Sequence, residues 1–120
     1  MTTKKKEIKI GKKLASMNYE FDQVSKGYAD QTLYLNLSDN EVVNKDVPEE
    51  IKEKFIGGRG YGLKYLWDGV EDDTNWDDEE NEIIVSPGPL AGTTRYPGLG
   101  KSLVLSISPL TNTVIDSNVG

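Results

Sequence analysis

The chain has 120 residues, of which 36% are hydrophobic and 28% are charged, and its formal net charge is −6. This length allows one small domain. The chain contains neither cysteine nor histidine, which excludes disulfides, cysteine-bound zinc or iron–sulfur centres and the commonest general base.

The charge is divided unevenly along the chain. Residues 1–13 carry six lysines and one glutamate, whereas the remainder carries eight basic and nineteen acidic side chains. No aromatic residues interleave with the lysines, so we interpret residues 1–26 as a flexible basic extension and the acidic body as unsuited to nucleic acid. No apolar run suits a signal peptide or a membrane span. We therefore expect a cytoplasmic chain with no nucleic acid partner and no membrane span.

A hairpin is predicted directly after the extension. Leucines alternate with other residues over residues 31–37, which is the period of a strand. The Ser-Asp-Asn sequence at residues 38–40 is a turn signal, and residues 41–47 can return as the second strand.

Two helices are predicted next. Pro48 and the two glutamates after it suit a first helical turn, because proline lacks the amide that would be unpaired there and acidic groups complement the positive helix end. Gly57 and Gly58 end this helix. Apolar side chains at helical spacing predict a second helix over residues 61–67.

The second half of the chain predicts three strands separated by loops. The strands are expected at residues 82–86, 101–107 and 114–116, with an acidic loop at residues 71–80 and a long loop at residues 87–100. The acidic loop lacks the central glycine of an EF-hand, so we interpret it as a solvated loop. The chain as a whole is predicted to be an α+β domain with more sheet than helix.

Residues 98–102, Gly-Leu-Gly-Lys-Ser, have the appearance of the end of a P-loop. The full pattern requires a glycine at the position of Arg95, and a helix must follow the lysine. Leucine and isoleucine alternate with serine and valine after Lys101, which indicates a strand instead. We therefore predict a loop between two strands.

Residues 58–62, Gly-Arg-Gly-Tyr-Gly, similarly have only part of a dinucleotide fingerprint. The third glycine of that motif would fall at Leu63, and the segment follows a helix rather than a strand. The pattern predicts a corner between two helices, where glycine supplies positive φ angles. Arg59 is then either a surface arginine or an anchor for a neighbouring domain.

Four short motifs, in this order and spacing, resemble one enzyme family. From residue 27 to residue 120 the chain is similar to the N-terminal domain of the aldehyde ferredoxin oxidoreductase family, which implies a β-rich, saddle-like fold that is incomplete here. The motifs are Gly-Gly-Arg-Gly at 57–60, Gly-Pro-Leu-Ala-Gly-Thr at 88–93, Ser-Pro-Leu-Thr at 108–111 and Asp-Ser-Asn-Val-Gly at 116–120.

The resemblance implies an oxidoreductase whose tungsten or molybdenum is held by two pterin dithiolenes, with a magnesium ion joining the pterin phosphates. Lys101 matches a basic residue that faces those phosphates. Arginine is usual there, so a single charge would replace a bidentate contact. Asn118 matches the residue whose backbone carbonyl coordinates magnesium, and its side chain is expected to hold a local turn. Gly120 matches a close backbone approach to the pterin.

The same resemblance implies partners. The family's further domains, with the iron–sulfur cluster and the substrate site, are expected in a larger polypeptide, and ferredoxin or a ferredoxin-like subunit accepts the electrons. We expect no catalytic residue in this chain and no activity from it alone. Until the partner binds, apolar faces such as that of Leu103, Leu105 and Ile107 would be partly uncovered.

Two other classes of function remain open from the sequence. In one, the chain is a stand-alone module whose glycine-rich loop binds another phosphate ligand. In the other, it is a purely structural interaction subunit. A phosphate ligand bound by the isolated chain would favour the module, and metal and pterin that co-purify with the chain and its partner would favour the oxidoreductase.

Overall fold

The structure, a computed structural model, describes residues 11–18, 20, 27–92 and 99–120. All the predicted strands and helices are present, and the α+β class is confirmed. No helix in these described ranges has the length and hydropathy to cross a bilayer. The elements are β1 (Gln31–Asn36), β2 (Glu41–Asp46), α1 (Glu49–Phe55), α2 (Arg59–Gly69), β3 (Ile84–Pro87), β4 (Ser102–Ile107) and β5 (Val114–Val119).

Most boundaries differ from the prediction by one or two residues, and the end of β5 differs by three. Helix α2 spans Arg59–Gly69 rather than residues 61–67, β3 begins at Ile84 rather than at residue 82, and β5 continues to Val119 rather than to residue 116. β5 pairs with β4 along its full length, Val114 with Ile107 and Val119 with Ser102. The Asp-Ser-Asn segment in β5 has low strand propensity, and the cross-strand pairing overrides it.

β1 and β2 form a two-stranded antiparallel hairpin. The Asn36 side chain orders its turn, because its carbonyl oxygen accepts hydrogen bonds from the amides of Ser38 and Asp39 at 3.0 and 3.1 Å. The predicted basic extension falls largely outside the described residues. Its described part, residues 11–18, contains no helix or strand and lies beside the end of β1.

The second sheet is antiparallel with the order β3-β4-β5, and α2 packs on one face of it. Leu105, in the central strand β4, is fully buried and Ile107 is nearly so. A Cβ atom on Gly62 of α2 would lie 2.2 Å from Leu105 Cδ1, so the absence of a side chain lets the helix approach the sheet. The expectation that this face is partly uncovered is therefore wrong for Leu105 and Ile107, which are buried, whereas Leu103 is half-buried.

Exposed apolar side chains also line the opposite face of the same sheet. Val85, Ile115 and Val119 are 62%, 46% and 55% exposed. Side chains alternate between the two faces of a strand, and these residues lie at positions that alternate with those packed under α2. We call this surface of Val85, Ile115 and Val119 the outer sheet face.

The predicted corner between the two helices is confirmed, with φ angles of 150° and 55° at Gly57 and Gly58. The first positive φ, however, falls on Ile56 at 65°, in a tight turn closed by a 2.6 Å hydrogen bond from the Gly57 amide to the Phe55 carbonyl. The Tyr28 hydroxyl donates to the Ile56 carbonyl at 2.8 Å. A hydrogen bond from outside the corner thus supports a conformation that a β-branched residue rarely adopts.

Two of the motifs noted in the sequence contact each other at this corner. The Gly58 amide donates to the Pro87 carbonyl at 3.1 Å. A Cβ atom on Gly57 would lie 3.1 Å from Pro89 Cδ. The glycines of residues 57–60 therefore join α2 to the end of β3, which is a packing role rather than nucleotide binding.

The acidic loop is exposed, as predicted, and is tied to the turn between β4 and β5. The Trp76 amide donates to Asn112 Oδ1, and Asn112 Nδ2 donates to Asn75 Oδ1, both at 2.9 Å. Asn112 itself has a φ of 49°, a conformation that asparagine tolerates better than most residues. One asparagine thus orders both the strand turn and the loop that faces it.

Glu82 should make the stability of the fold depend on pH. Burial raises the pKa of its carboxyl group, and the charge of Lys45 only partly opposes this effect. A folded-state pKa above the unfolded value disfavours the native state at neutral pH, and this penalty disappears as the pH falls through the folded pKa. We expect Glu82→Gln to raise the melting temperature at pH 7 and to lose that advantage near pH 4. An equal gain at both pH values would contradict this assignment.

Candidate functional site

The three predicted site residues lie together at one end of the β4–β5 pair. Lys101 directly precedes β4, and Asn118 is opposite Leu103 near the end of β5. Gly120 follows β5 and returns to Lys101. A Cβ atom at Gly120 would lie 3.2 Å from the Lys101 Cα atom and 3.0 Å from the Gly100 carbonyl oxygen.

Gly120 suits this place for two physical reasons. Its φ angle of +124° lies in a region that side chains disfavour. The space in which a Cβ atom would stand is already limited by the backbone of residues 100–101. The missing side chain therefore lets Gly120 pack against residues 100–101. Gly120 is also exposed, so its main chain is open to a bulky ligand on its solvent side.

Lys101 is exposed, and no acidic side chain of the described ranges pairs with it. The turn before it is held by a 3.0 Å hydrogen bond from the Gly92 amide to the Leu99 carbonyl. The strand predicted after Lys101 is confirmed. No helix begins here, so the lysine lacks the structural context of a P-loop. Residues 93–98 of the long loop lie outside the described residues.

The backbone of Asn118 points away from β4. On the β3 side of β4, the Asn81 side chain makes the hydrogen bonds to Ile107 that a strand would otherwise make. Its Oδ1 accepts a hydrogen bond from the Ile107 amide at 3.0 Å, and its Nδ2 donates one to the Ile107 carbonyl at 3.4 Å. Ile107 therefore directs its polar groups away from β5. In an antiparallel pair, the backbone groups of successive residues point alternately towards and away from the partner strand. Leu103 is an even number of positions from Ile107, so it also directs its backbone amide and carbonyl away from β5. Its partner Asn118 therefore directs its own amide and carbonyl towards the open edge of β5.

The Asn118 side chain does not hold a turn, so the expectation about it is wrong. Asn118 lies within β5, and the hydrogen bonds found in the described part of the chain do not include its side-chain amide. The reason is the extended pairing with β4, which places the residue in a strand rather than in a bend. Its amide group is therefore available to a ligand or to another polypeptide.

The structure adds an ion pair that the sequence did not place in the site. Arg59, at the start of α2, donates from Nε and Nη2 to Asp116 Oδ2 at 3.1 and 2.6 Å. Asp116 and Asn118 are two residues apart and therefore share one face of β5. The only signal in the sequence was the unusual arginine between two glycines, and its partner is 57 residues away.

A second polar cluster surrounds Tyr61 in α2. Its hydroxyl is buried and has no hydrogen-bond partner among the residues described. Burial, followed by the nearby Tyr28 and Tyr65, raises its pKa to about 12. Hydrogen bonds to Asp30 and Glu49 raise the pKa of Lys52 as well. These groups keep their protons at neutral pH, so they do not supply a general base.

The arrangement at Lys101, Asn118 and Gly120 suits a large anionic ligand. It offers one lysine charge, outward backbone groups on an open strand edge and a glycine without a side chain. A backbone carbonyl is also a hard oxygen donor of the type that magnesium accepts beside phosphates. The three residues could therefore hold a phosphorylated group and its counter-ion.

Comparison with known proteins gives the family. The sequence profile described as aldehyde ferredoxin oxidoreductase, N-terminal domain, matches residues 32–120. A tungsten-containing aldehyde ferredoxin oxidoreductase of Pyrococcus horikoshii is 34% identical over 94 residues, which are 78% of this chain and 15% of that protein. An aliphatic sulfonate oxidoreductase, WOR-like subunit, of Pyrococcus furiosus is 34% identical over 95 residues, which cover 75% of this chain and 14% of that protein.

The fold agrees with a solved structure. The active site complex BamBC of benzoyl coenzyme A reductase, solved with 1,5-dienoyl-CoA, is similar with a TM-score of 0.72 and 26% identity, over 77% of this chain and 14% of that one. The chain spans about 15% of the length of its relatives. The suspected resemblance is thereby confirmed: the chain belongs to the aldehyde ferredoxin oxidoreductase family and carries its N-terminal domain.

Proposed function

We propose that this chain forms one side of a tungsten or molybdenum bis-pterin site in an oxidoreductase of the aldehyde ferredoxin oxidoreductase type. The observation that carries the proposal is the bare backbone at Gly120, which lies directly against Lys101. This end of the sheet combines close main-chain approach with a positive charge, as a phosphorylated pterin requires.

Each site residue has a separate task in this proposal. Lys101 supplies a point charge to the pterin phosphates. The outward carbonyl of Asn118 would be a ligand for magnesium beside those phosphates, and Gly120 would leave room for the pterin. The bound metal centre supplies the two-electron chemistry, whereas this chain binds and orients the group. No residue of the chain is assigned a catalytic role.

The remaining parts of the enzyme belong to a larger polypeptide in this proposal. The chain has no cysteine, so the ligands of an iron–sulfur cluster must come from elsewhere. The outer sheet face offers apolar area for that polypeptide to cover. We use the term assembled protein for this chain together with that polypeptide. Ferredoxin or a similar subunit accepts the electrons, and the chain is inactive without its partner.

The first test replaces Lys101. In the assembled protein, Lys101→Ala should reduce the retained pterin and metal about tenfold or more, because a hydrogen bond to a charged group contributes roughly 1.5–3 kcal/mol. Lys101→Arg should retain both, since it keeps the charge. Tungsten, molybdenum and magnesium are measured by plasma mass spectrometry and pterin by fluorescence after oxidation.

Lys13→Ala is the matched control, because Lys13 is an exposed lysine of the basic extension. Equal cofactor content in wild type and Lys101→Ala would mean that Lys101 is an ordinary surface lysine without a cofactor contact. If the isolated chain instead binds a phosphate ligand and the assembled protein contains no pterin, the stand-alone module is correct. If neither binds anything, the chain is a structural subunit.

A further inference from the structure

The edge strand β5 contains Asn118 and leads directly into Gly120, two of the three proposed cofactor contacts, and it is weakly held. All six of its residues are exposed. Its extensive contacts with other elements are confined to β4. The end that contains Asn118 also lies far from the turn that Asn112 ties to the acidic loop. A strand held in this way frays easily unless another contact restrains it.

Arg59 supplies that contact. It donates two hydrogen bonds to one carboxylate oxygen of Asp116, at 3.1 and 2.6 Å. The Asp116 side chain is 30% exposed and that of Arg59 is 62% exposed, so only the carboxylate is partly shielded from water. The backbone next to Arg59 is held in place, because the amide of its neighbour Gly58 donates a hydrogen bond to the Pro87 carbonyl at the end of β3. The pair therefore ties β5 to an element outside its own ladder.

We infer that Arg59 and Asp116 are positioning residues, which hold β5 in the register that directs the Asn118 carbonyl and Gly120 towards the cofactor. This inference rests on the proposed function and deepens it. Neither residue has to touch the ligand. Asp116 is two residues from Asn118 on the same face of β5, so a displacement at Asp116 moves the carbonyl that would bind magnesium.

The test breaks and restores the pair in the assembled protein. Asp116→Asn removes one charge with little change of shape, and Arg59→Gln removes the other and leaves a shorter polar side chain. The reversed pair, Arg59→Asp with Asp116→Arg, restores the attraction. Lys54→Gln is the control, because it breaks an exposed ion pair with Glu50 on α1, away from β5. Two quantities are measured: hydrogen exchange in peptides covering residues 114–120, and the magnesium and pterin retained after dilution.

Both single variants should increase exchange in β5 about two- to fivefold, the range expected for an ion pair of this kind. They should lower cofactor retention by a similar factor, because only the ordered strand binds. The reversed pair should recover both quantities, and Lys54→Gln should change neither.

The inference and the proposed function fail in different ways. Faster exchange with unchanged retention, or no change in either, overturns the positioning role, and the function still stands if Lys101→Ala loses the cofactor. Recovery of retention by the reversed pair supports the role, because a general loss of stability would not be corrected by exchanging the two charges. If Lys101→Ala also retains the cofactor, the proposed function and this inference fall together.

Discussion

Replacing Gly60 by alanine should open the corner between α1 and α2. A Cβ atom at this position would lie 2.2 Å from the Phe55 carbonyl oxygen and 3.1 Å from its carbon. Both atoms belong to the backbone, so no side-chain rotation can relieve the clash. We expect a loss of about 3 kcal/mol, at the upper end of the range for overpacked positions. In the assembled protein, the α2 amides should then exchange about a hundredfold faster.

Gly88→Ala is the control for this substitution. Nothing lies within 4 Å of the position where its Cβ atom would stand, so its effect should remain within about 0.5 kcal/mol. Similar exchange rates for Gly60→Ala and wild type would mean that the corner is looser than described. A strong effect of Gly88→Ala would mean that the loss reflects glycine in general and not this contact.

Asn118→Asp should remove most of the magnesium, metal and pterin from the assembled protein. The substitution keeps the shape and the backbone carbonyl but adds a negative charge beside proposed phosphates. Two like charges about 4 Å apart repel with about 4 kcal/mol at an effective dielectric constant of about 20. Retention should therefore fall well below one tenth of wild type. Asn118→Ala should lose less magnesium, metal and pterin than Asn118→Asp, because the Asn118 side chain makes no hydrogen bond within the described residues.

Asn40→Asp provides the matching control. It makes the same chemical change at an exposed position in the hairpin turn between β1 and β2, so cofactor content should be unchanged. Metal and pterin are measured per assembled protein for all three variants. If Asn118→Asp equals wild type, no phosphate lies near Asn118, and the chain shares the family's fold without its site.

The repeating patterns of the sequence were sufficient to predict the order of elements. Alternating leucines gave β1 and β4, and the Pro-Glu-Glu start with the two terminal glycines gave α1, because these signals depend only on residues close in the chain. The end of β5 was predicted too early. Its Asp-Ser-Asn segment has little strand propensity, and only its pairing with β4 makes it a strand.

The sequence by itself determined the family, because the four motifs are read directly from their order, and the resemblance to that family supplied Lys101, Asn118 and Gly120 as site candidates. The tertiary structure decided which sheet face is covered, where the Asn118 carbonyl points and which residue Arg59 pairs with. Each of these depends on contacts between residues distant in the chain, such as Gly62 with Leu105 and Arg59 with Asp116. Local propensities carry no information about such distant pairs, because packing and strand register are set only when the elements meet.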